Sequence, residues 1–187
     1  MLLLTGVGMG TRPYREANAR AEEVSNILSV LGVPHAPDAT SKELLDIFEK
    51  KVGTENVGNL SAHVYREGEK VKTVAVPFAG PGLWGPVKGY LSLDPDMKTI
   101  RGISFYQQEE TPGLGGEIAS AAFRKQFVGK KIVDAESRFG LRITKPGQAS
   151  AQNEVDGISG ATLTCTKVQT MLNDTVQQVA KELKRDE

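Results

Sequence analysis

The chain is poor in the side chains that hold metals and disulfides. Among its 187 residues are one Cys and two His, namely Cys165, His35 and His63. A lone Cys cannot form an intramolecular disulfide, and these three side chains cannot assemble a Cys/His zinc or iron-sulfur site. A disulfide scaffold is therefore excluded, and we expect no metal redox chemistry.

The chain also lacks an excess of charge of either sign. Its 23 Lys and Arg residues balance 23 Asp and Glu residues, and no basic run is longer than Lys130-Lys131 or Lys184-Arg185. Nucleic-acid binding needs clustered cations, so we expect no nucleic-acid partner.

A chain of this length should bury roughly 70% of its unfolded surface, which is enough for one core without metal or disulfide.

A long hydrophobic run is missing as well. Residues 1–10 are mostly apolar and carry no charged side chain, but about 20 apolar residues are needed to cross a bilayer. The segment also lacks the basic region and the cleavage site of a signal peptide. Two interpretations stay open from the residues alone: a flexible end, slightly favoured because termini are commonly disordered, and the remnant of a longer membrane helix.

Hydrophobic periodicity predicts helices near both ends of the chain. Apolar residues recur at spacings of three and four over residues 14–31, and a capping box of Thr40 and Glu43 predicts a second helix that ends near Lys51. Residues 117–127 form a third helical pattern, and a long helix follows Thr164.

Alternating and β-branched segments predict strands between these helices. Residues 60–65 and 71–78 form one hairpin, residues 87–93 and 99–107 form another, and residues 141–144 form a short strand. Because hairpins rather than helical crossovers join the strands, the pattern predicts an α+β fold with an antiparallel sheet and helices at both ends of the chain.

The segment 156–164 concentrates small residues and hydroxyls just before the last helix. Unpaired amides at a helix N-terminus suit a phosphate, but Ser and Thr are also ordinary N-caps, so both interpretations stay open. The segment has neither the Gly-Lys-Ser/Thr of a Walker loop nor a complete nucleophile elbow, because Ala161 stands where the last Gly belongs. A serine hydrolase that uses Ser159 with His35 or His63 is a minor alternative, since we expect both His to be solvated.

Six segments of the chain match one known family: residues 12–18, 82–85, 89–91, 105–106, 110–116 and 156–164. In this order they resemble the FMN-binding domain found in the C subunit of the sodium-translocating NADH:quinone oxidoreductase and in the G subunit of the related Rnf complex. Residues 156–164 resemble the flavinylation motif, with Cys165 where Ser is common. The resemblance extends from about residue 11 to 183, so we expect residues 11–187 to form a single FMN-binding domain.

The resemblance implies a cofactor site. It implies that Thr164 carries FMN through a phosphoester made by a separate flavin transferase from FAD, which agrees with the absence of a nearby base in the sequence. We expect residues 82–85, 110–116 and 159–164 to meet in one cleft. The cofactor-binding residues implied are Thr164, Ser159, Gly160, Ala161, Thr162, Leu163, Glu110, Thr111, Pro112, Gly113, Leu114, Gly115, Leu83 and Trp84. For Trp84, a place in the core is an equal alternative.

The resemblance also implies a role. The domain would be a one-electron relay in a membrane complex that oxidises NADH, reduces quinone and transports sodium, with the other subunits as partners. It would face the periplasm from the inner membrane, and residues 1–10 would then be the remnant of an N-terminal membrane helix. The alternative of another class is a non-catalytic module that binds a phosphate-bearing ligand such as a flavin.

Overall fold

The computed structural model describes residues 12–185. The predictions for residues 1–10 lie outside this range. Within it, no helix is both long and apolar enough to cross a membrane.

The described helices and strands are α1 (Arg12–Leu31), α2 (Ser41–Lys51), β1 (Val52–Val57), β2 (Leu60–Glu67), β3 (Lys70–Pro81), β4 (Pro86–Leu93), β5 (Ile100–Gln107), α3 (Ala121–Lys125), β6 (Arg142–Thr144), β7 (Glu154–Asp156) and α4 (Thr162–Leu183). A short 3₁₀ helix, Gly115–Ala119, precedes α3. The centre of the fold is a five-stranded antiparallel sheet in the order β1-β2-β3-β4-β5, and a separate pair, β6 and β7, is parallel. The predicted α+β class with an antiparallel sheet is confirmed.

Each face of the sheet packs against its own helices. Successive side chains of a strand point to opposite faces, so Ala62 and Val64 of β2 join the core that includes Leu172 of α4, whereas Tyr65 joins the core that includes Leu28 of α1. The sheet is therefore a middle layer between α4 on one side and α1 with α2 on the other.

Two buried hydroxyls of the sheet form hydrogen bonds with the C-terminal end of α1. Ser92 Oγ donates to the Val30 carbonyl oxygen at 2.6 Å, and Thr73 Oγ1 donates to the Leu31 carbonyl oxygen at 2.7 Å. These carbonyls belong to the last turn of a helix, where intrahelical partners are missing. The two bonds therefore satisfy groups that would otherwise be buried without partners.

The helix predicted over residues 117–127 is wrong as a single element. It is divided at Ser120, whose backbone is extended (φ −65°, ψ 149°) and whose hydroxyl accepts from the Phe123 amide at 3.2 Å. A hydroxyl that caps a helix competes with its continuation. The 3₁₀ helix and α3 are therefore separate, which periodicity alone does not reveal.

Two strands, β1 and β7, were not predicted from the sequence. β1 lies at the edge of the sheet and is largely exposed, so Val52–Val57 shows no hydrophobic alternation. β7 is only three residues long and directly precedes Gly157. Neither strand carries the pattern on which strand prediction depends.

The expectation that His63 is solvated is also wrong. Its ring lies 5.5 Å from that of Phe48 and 5.6 Å from that of Tyr90, and its buried Nδ1 has no hydrogen-bond partner among the residues that the structure describes. Desolvation lowers the pKa of this imidazole, which the negative charge of Glu23 opposes. His63 is thus a packing residue on the α1 side of the sheet.

We expect Gly89→Ala to destabilise the fold. A Cβ at this position in β4 would overlap the Ser104 carbonyl oxygen and the Phe78 ring, and overpacking of this kind costs about 1–3 kcal/mol or more. The measurement is the free energy of unfolding in urea. Gly53→Ala in β1 is the control, since the nearest atom to its added Cβ is Arg66 Nη1 at 3.5 Å. An unchanged stability of Gly89→Ala would show that the packing around β4 is described wrongly.

Candidate functional site

One cavity of about 240 Å³ is lined by residues of all three segments that were expected to meet, namely 82–85, 110–116 and 159–164. The β3–β4 turn, the loop after β5 and the start of α4 each form part of its wall. The predicted residues that line it are Leu83, Trp84, Glu110, Thr111, Leu114, Gly115, Gly160, Ala161, Thr162, Leu163 and Thr164. The remaining predicted residues, Ser159, Pro112 and Gly113, do not line it and are exposed. The structure thus brings the expected segments together, and their cofactor-binding role stays a prediction.

The first turn of α4 forms one wall of the cavity. The helix begins at Thr162, and the residue before it, Ala161, makes no side-chain capping bond. An ordinary Ser or Thr N-cap, which the sequence allowed, is therefore not what the structure has. The amides of Thr162, Leu163 and Thr164 have no hydrogen-bond partner within residues 12–185. Such amides, together with the helix dipole, favour a negatively charged group near this helix end.

Glu110 connects all three segments through its carboxylate. Thr164 Oγ1 donates to Oε2 at 2.6 Å, while the amides of Leu83 and Trp84 donate to Oε1 at 2.7 and 3.2 Å. Both Glu110 and Thr164 are buried, with 5% and 2% of their surface exposed. Sequence reasoning found no base near Thr164, because Glu110 lies 54 residues away along the chain.

The hydrogen bonds keep Glu110 ionised despite its burial. Desolvation raises the pKa of this carboxyl. The hydrogen bonds from Thr164, Trp84 and Leu83 and the positive charge of Lys167 together lower it by a larger amount. The net effect is a lowered pKa. Glu110 is the only charged residue that lines the cavity in the described part of the chain.

Two glycines leave room for this carboxylate. A Cβ on Gly115 would lie 2.6 Å from Thr164 Oγ1 and 2.8 Å from Glu110 Oε2, and a Cβ on Gly82 would lie 2.5 Å from Glu110 Oε1. Any side chain at either position would therefore displace the hydrogen-bonded groups. The glycines of both loops are a sequence feature from which this close approach could have been inferred.

An apolar rim surrounds the cavity. Leu83 and Leu114 are each 44% exposed, Leu163 is 63% exposed and Trp84 is 70% exposed. The alternative that Trp84 fills the core is therefore wrong. Clustered exposed apolar side chains are typical of a ligand-binding or protein-binding surface.

A larger cavity of about 390 Å³ lies between α1, β5 and α3. Arg101, Arg124 and Lys125 contribute to its lining, and none of the predicted site residues does. The smaller cavity combines a buried ionised carboxylate, a hydroxyl and an apolar rim, so it is the better candidate site.

The structure gives no support to a serine hydrolase. His63 lies on the side of the sheet opposite α4, and His35 Nδ1 lies 2.8 Å from the Val33 carbonyl oxygen. Within residues 12–185 neither imidazole is hydrogen-bonded to Ser159. A nucleophilic Ser needs such a base to be activated.

Comparison with known proteins gives the family. The family model for the FMN-binding domain matches residues 82–177. The C subunit of the Na(+)-translocating NADH-quinone reductase of Vibrio vulnificus is 38% identical over 212 residues, which cover 90% of this chain and 82% of that protein. The chain belongs to this family of subunits. The crystal structure of the C subunit from Parabacteroides distasonis is 29% identical and has a TM-score of 0.78, covering 92% of this chain and 96% of that one.

Other relatives match over a shorter length. The C subunit of Pasteurella multocida is 44% identical over 105 residues, which are 56% of this chain and 40% of that protein. The chain thus spans about two fifths of the length of the first curated relatives that it matches. The crystal structure of Shewanella oneidensis NqrC, with 24% identity and a TM-score of 0.75, supports the fold alone.

The ionised Glu110 leads to a prediction about acid stability. Because its folded-state pKa lies below the unfolded value of about 4.3, it adds stability above that pH, and the gain disappears as the pH falls through the folded-state pKa. We expect Glu110→Gln to cost about 1–3 kcal/mol at neutral pH, and to cost less below about pH 4. The measurement is urea unfolding over a pH series.

The exposed neighbour Glu109 provides the control variant, Glu109→Gln. It removes the same charge one residue away and should change stability by less than about 0.5 kcal/mol. If the cost of Glu110→Gln were the same at pH 7 and at about pH 3, the carboxylate would not be the stabilised form.

Proposed function

We propose that residues 11–187 are the flavin-carrying domain of the C subunit of a Na(+)-translocating NADH-quinone reductase, and that Thr164 Oγ1 holds FMN as a phosphoester. The domain would act as a one-electron carrier within the complex. Membership in the family and the match to the FMN-binding domain support the cofactor. The covalent attachment is supported by the charge of the cavity.

The observation that carries this proposal is an anionic cavity at the start of a helix. A free flavin phosphate is close to a dianion at neutral pH, and proteins usually retain it with cationic side chains as well as amides. Within residues 12–185 the lining of this cavity offers no Lys or Arg, and it includes the ionised Glu110. A diester carries one negative charge fewer, and a tether gives an effective concentration in the millimolar range. Retention would therefore come from the bond.

The shape of the cavity fits a partly exposed ring. Its volume of about 240 Å³ is below the roughly 300–1,000 Å³ of pockets that enclose a ligand of this size. Leu83 and Leu114 would offer apolar contact, and the free amides at the start of α4 would face the phosphate. When bound, the flavin supplies the one-electron chemistry, and the chain holds it and leaves one edge accessible.

Two observations bear on which Thr is modified. Thr162 is exposed, whereas Thr164 is 2% exposed, so accessibility to a transferase favours Thr162. Thr164, however, lines the cavity with its hydroxyl directed at a carboxylate. Gly113 and Gly115 lie in the adjacent loop, and we infer that a movement of this loop uncovers the hydroxyl. We therefore propose Thr164 as the attachment site.

The partners and the location follow the same proposal. The relatives are named as subunits of a reductase, so the other subunits would be the electron donor and acceptor. A flavin transferase would attach the cofactor from FAD. An N-terminal membrane helix would anchor the domain to the inner membrane on its periplasmic side.

We expect Thr164→Ala to abolish covalent flavin, because the ester oxygen is removed. The domain is produced with an active flavin transferase and its intact mass is measured after denaturation. Thr164→Ser keeps a hydroxyl and is expected to be modified, at a lower rate. Thr162→Ala removes only an exposed hydroxyl and is expected to keep the added mass.

The result also separates the proposal from its alternative. A module that binds a flavin or another phosphate ligand without a bond would release it on denaturation in every variant. If Thr164→Ala retained flavin through denaturation while Thr162→Ala lost it, the attachment site would be Thr162.

The flavin-loaded domain alone is expected not to oxidise NADH. The chain lacks a dinucleotide fingerprint, since its Gly113 to Gly116 run is too short and does not lie between a strand and a helix of a βαβ unit. The measurement is NADH absorbance over time with an artificial electron acceptor. Sustained turnover would contradict the relay role. A chemical one-electron reductant, which should bleach the flavin absorbance, serves as the positive control.

A further inference from the structure

We propose that Glu110 accepts the proton that Thr164 loses when its phosphoester forms. The inference rests on the proposed function, since it concerns the same hydroxyl. It assigns part of the modification chemistry to this chain rather than to the transferase alone.

The geometry already places donor and acceptor in contact. Thr164 Oγ1 lies 2.6 Å from Glu110 Oε2, which is within the distance required of a general base. This bond directs the hydroxyl proton to the carboxylate. The contact through which the proton would move therefore exists before any partner binds.

The carboxylate is itself held in place. The amides of Leu83 and Trp84 donate to its other oxygen, Oε1, at 2.7 and 3.2 Å. The backbone packs closely against both carboxylate oxygens. A Cβ on Gly115 would lie 2.8 Å from Oε2, and a Cβ on Gly82 would lie 2.5 Å from Oε1. Fixed groups of this kind lose little freedom when the reaction occurs.

The step balances with FAD as the co-reactant. Thr164 Oγ1 forms a bond to the phosphorus of the FMN half, the bond from that phosphorus to the bridging oxygen breaks, and AMP leaves with the electron pair. The Thr164 proton moves to Glu110 Oε2. Protein kinases use an Asp carboxylate in the same way, to accept a hydroxyl proton during phosphoryl transfer. A weak base is sufficient there because the transition state is largely dissociative.

Ionisation of Glu110 agrees with this role. The hydrogen bonds that lower its pKa keep the carboxylate free of protons at neutral pH. Ester formation removes the Thr164 donor and places an anion beside Oε2, and both changes favour a protonated Glu110. The proton therefore has a stable destination next to the new ester.

The test measures the rate at which an active flavin transferase with FAD adds mass to the purified unmodified domain. Glu110→Gln keeps an acceptor for the amides of Leu83 and Trp84 but cannot take up a proton. We expect its rate to fall about 100-fold, within the usual range for removal of a general base. Glu109→Gln, at the exposed neighbouring residue, is expected to keep the wild-type rate.

Two further readouts separate proton transfer from a structural effect. The ratio of wild-type to Glu110→Gln rates should decrease as the pH rises, because hydroxide replaces the missing base, and the ratio cancels any titration of the transferase. Glu110→Asp, which keeps a carboxylate, should be modified faster than Glu110→Gln. Circular dichroism checks that each variant is folded.

A Glu110→Gln rate within twofold of wild type, or a ratio that does not change with pH, would overturn the inference while leaving the proposed function intact. If Thr164→Ala gained the flavin mass, the proposed attachment site would fail instead. The two failures are therefore distinguishable in the same assay.

Discussion

One buried carboxylate fixes the relative positions of three distant parts of the chain. Glu110 receives hydrogen bonds from Thr164, 54 residues later in the chain, and from Leu83, 27 residues earlier. Burying an ionised carboxylate without partners is very unfavourable, so the negative charge is tolerated only while these donors surround it. The turn, the loop and the helix start are thereby coupled, because a displacement of any one of them leaves the charge under-satisfied.

The sheet makes this meeting of segments possible. Pro81 pairs with Pro86 and Lys88 pairs with Gln107, so the β3–β4 turn and the loop after β5 leave the sheet at the same end. On one face α4 lies close against β3, since a Cβ on Gly80 would lie 2.6 Å from Met171 Cγ. The first turn of α4 is thereby placed beside both loops. The site is thus a consequence of antiparallel pairing and of one close helix-sheet contact.

Sequence patterns predicted the elements that are long and periodic, and missed those whose position depends on tertiary structure. The two hairpins and α4 follow from alternation and helical spacing, because one face of each is buried. The exposed edge strand β1 shows no such pattern, and Ser120 divides a helix that periodicity treats as continuous. In the site, the resemblance singled out Glu110 and Thr164 separately. Their hydrogen bond could not be predicted, since no local rule relates residues that are 54 positions apart.

A covalent cofactor would resolve a conflict that this cavity creates in the proposed role. Affinity for a bound ring grows with the apolar surface it buries, at about 25 cal/mol per Å², but an electron carrier must leave part of the ring accessible to its partners. Here the cavity is small, its rim residues Leu83, Trp84, Leu114 and Leu163 remain exposed, and Glu110 opposes a free phosphate. Each of these features weakens non-covalent retention, and the first two favour access. The proposed bond to Thr164 would make retention independent of burial, so the surroundings of the ring could be open without loss of the cofactor.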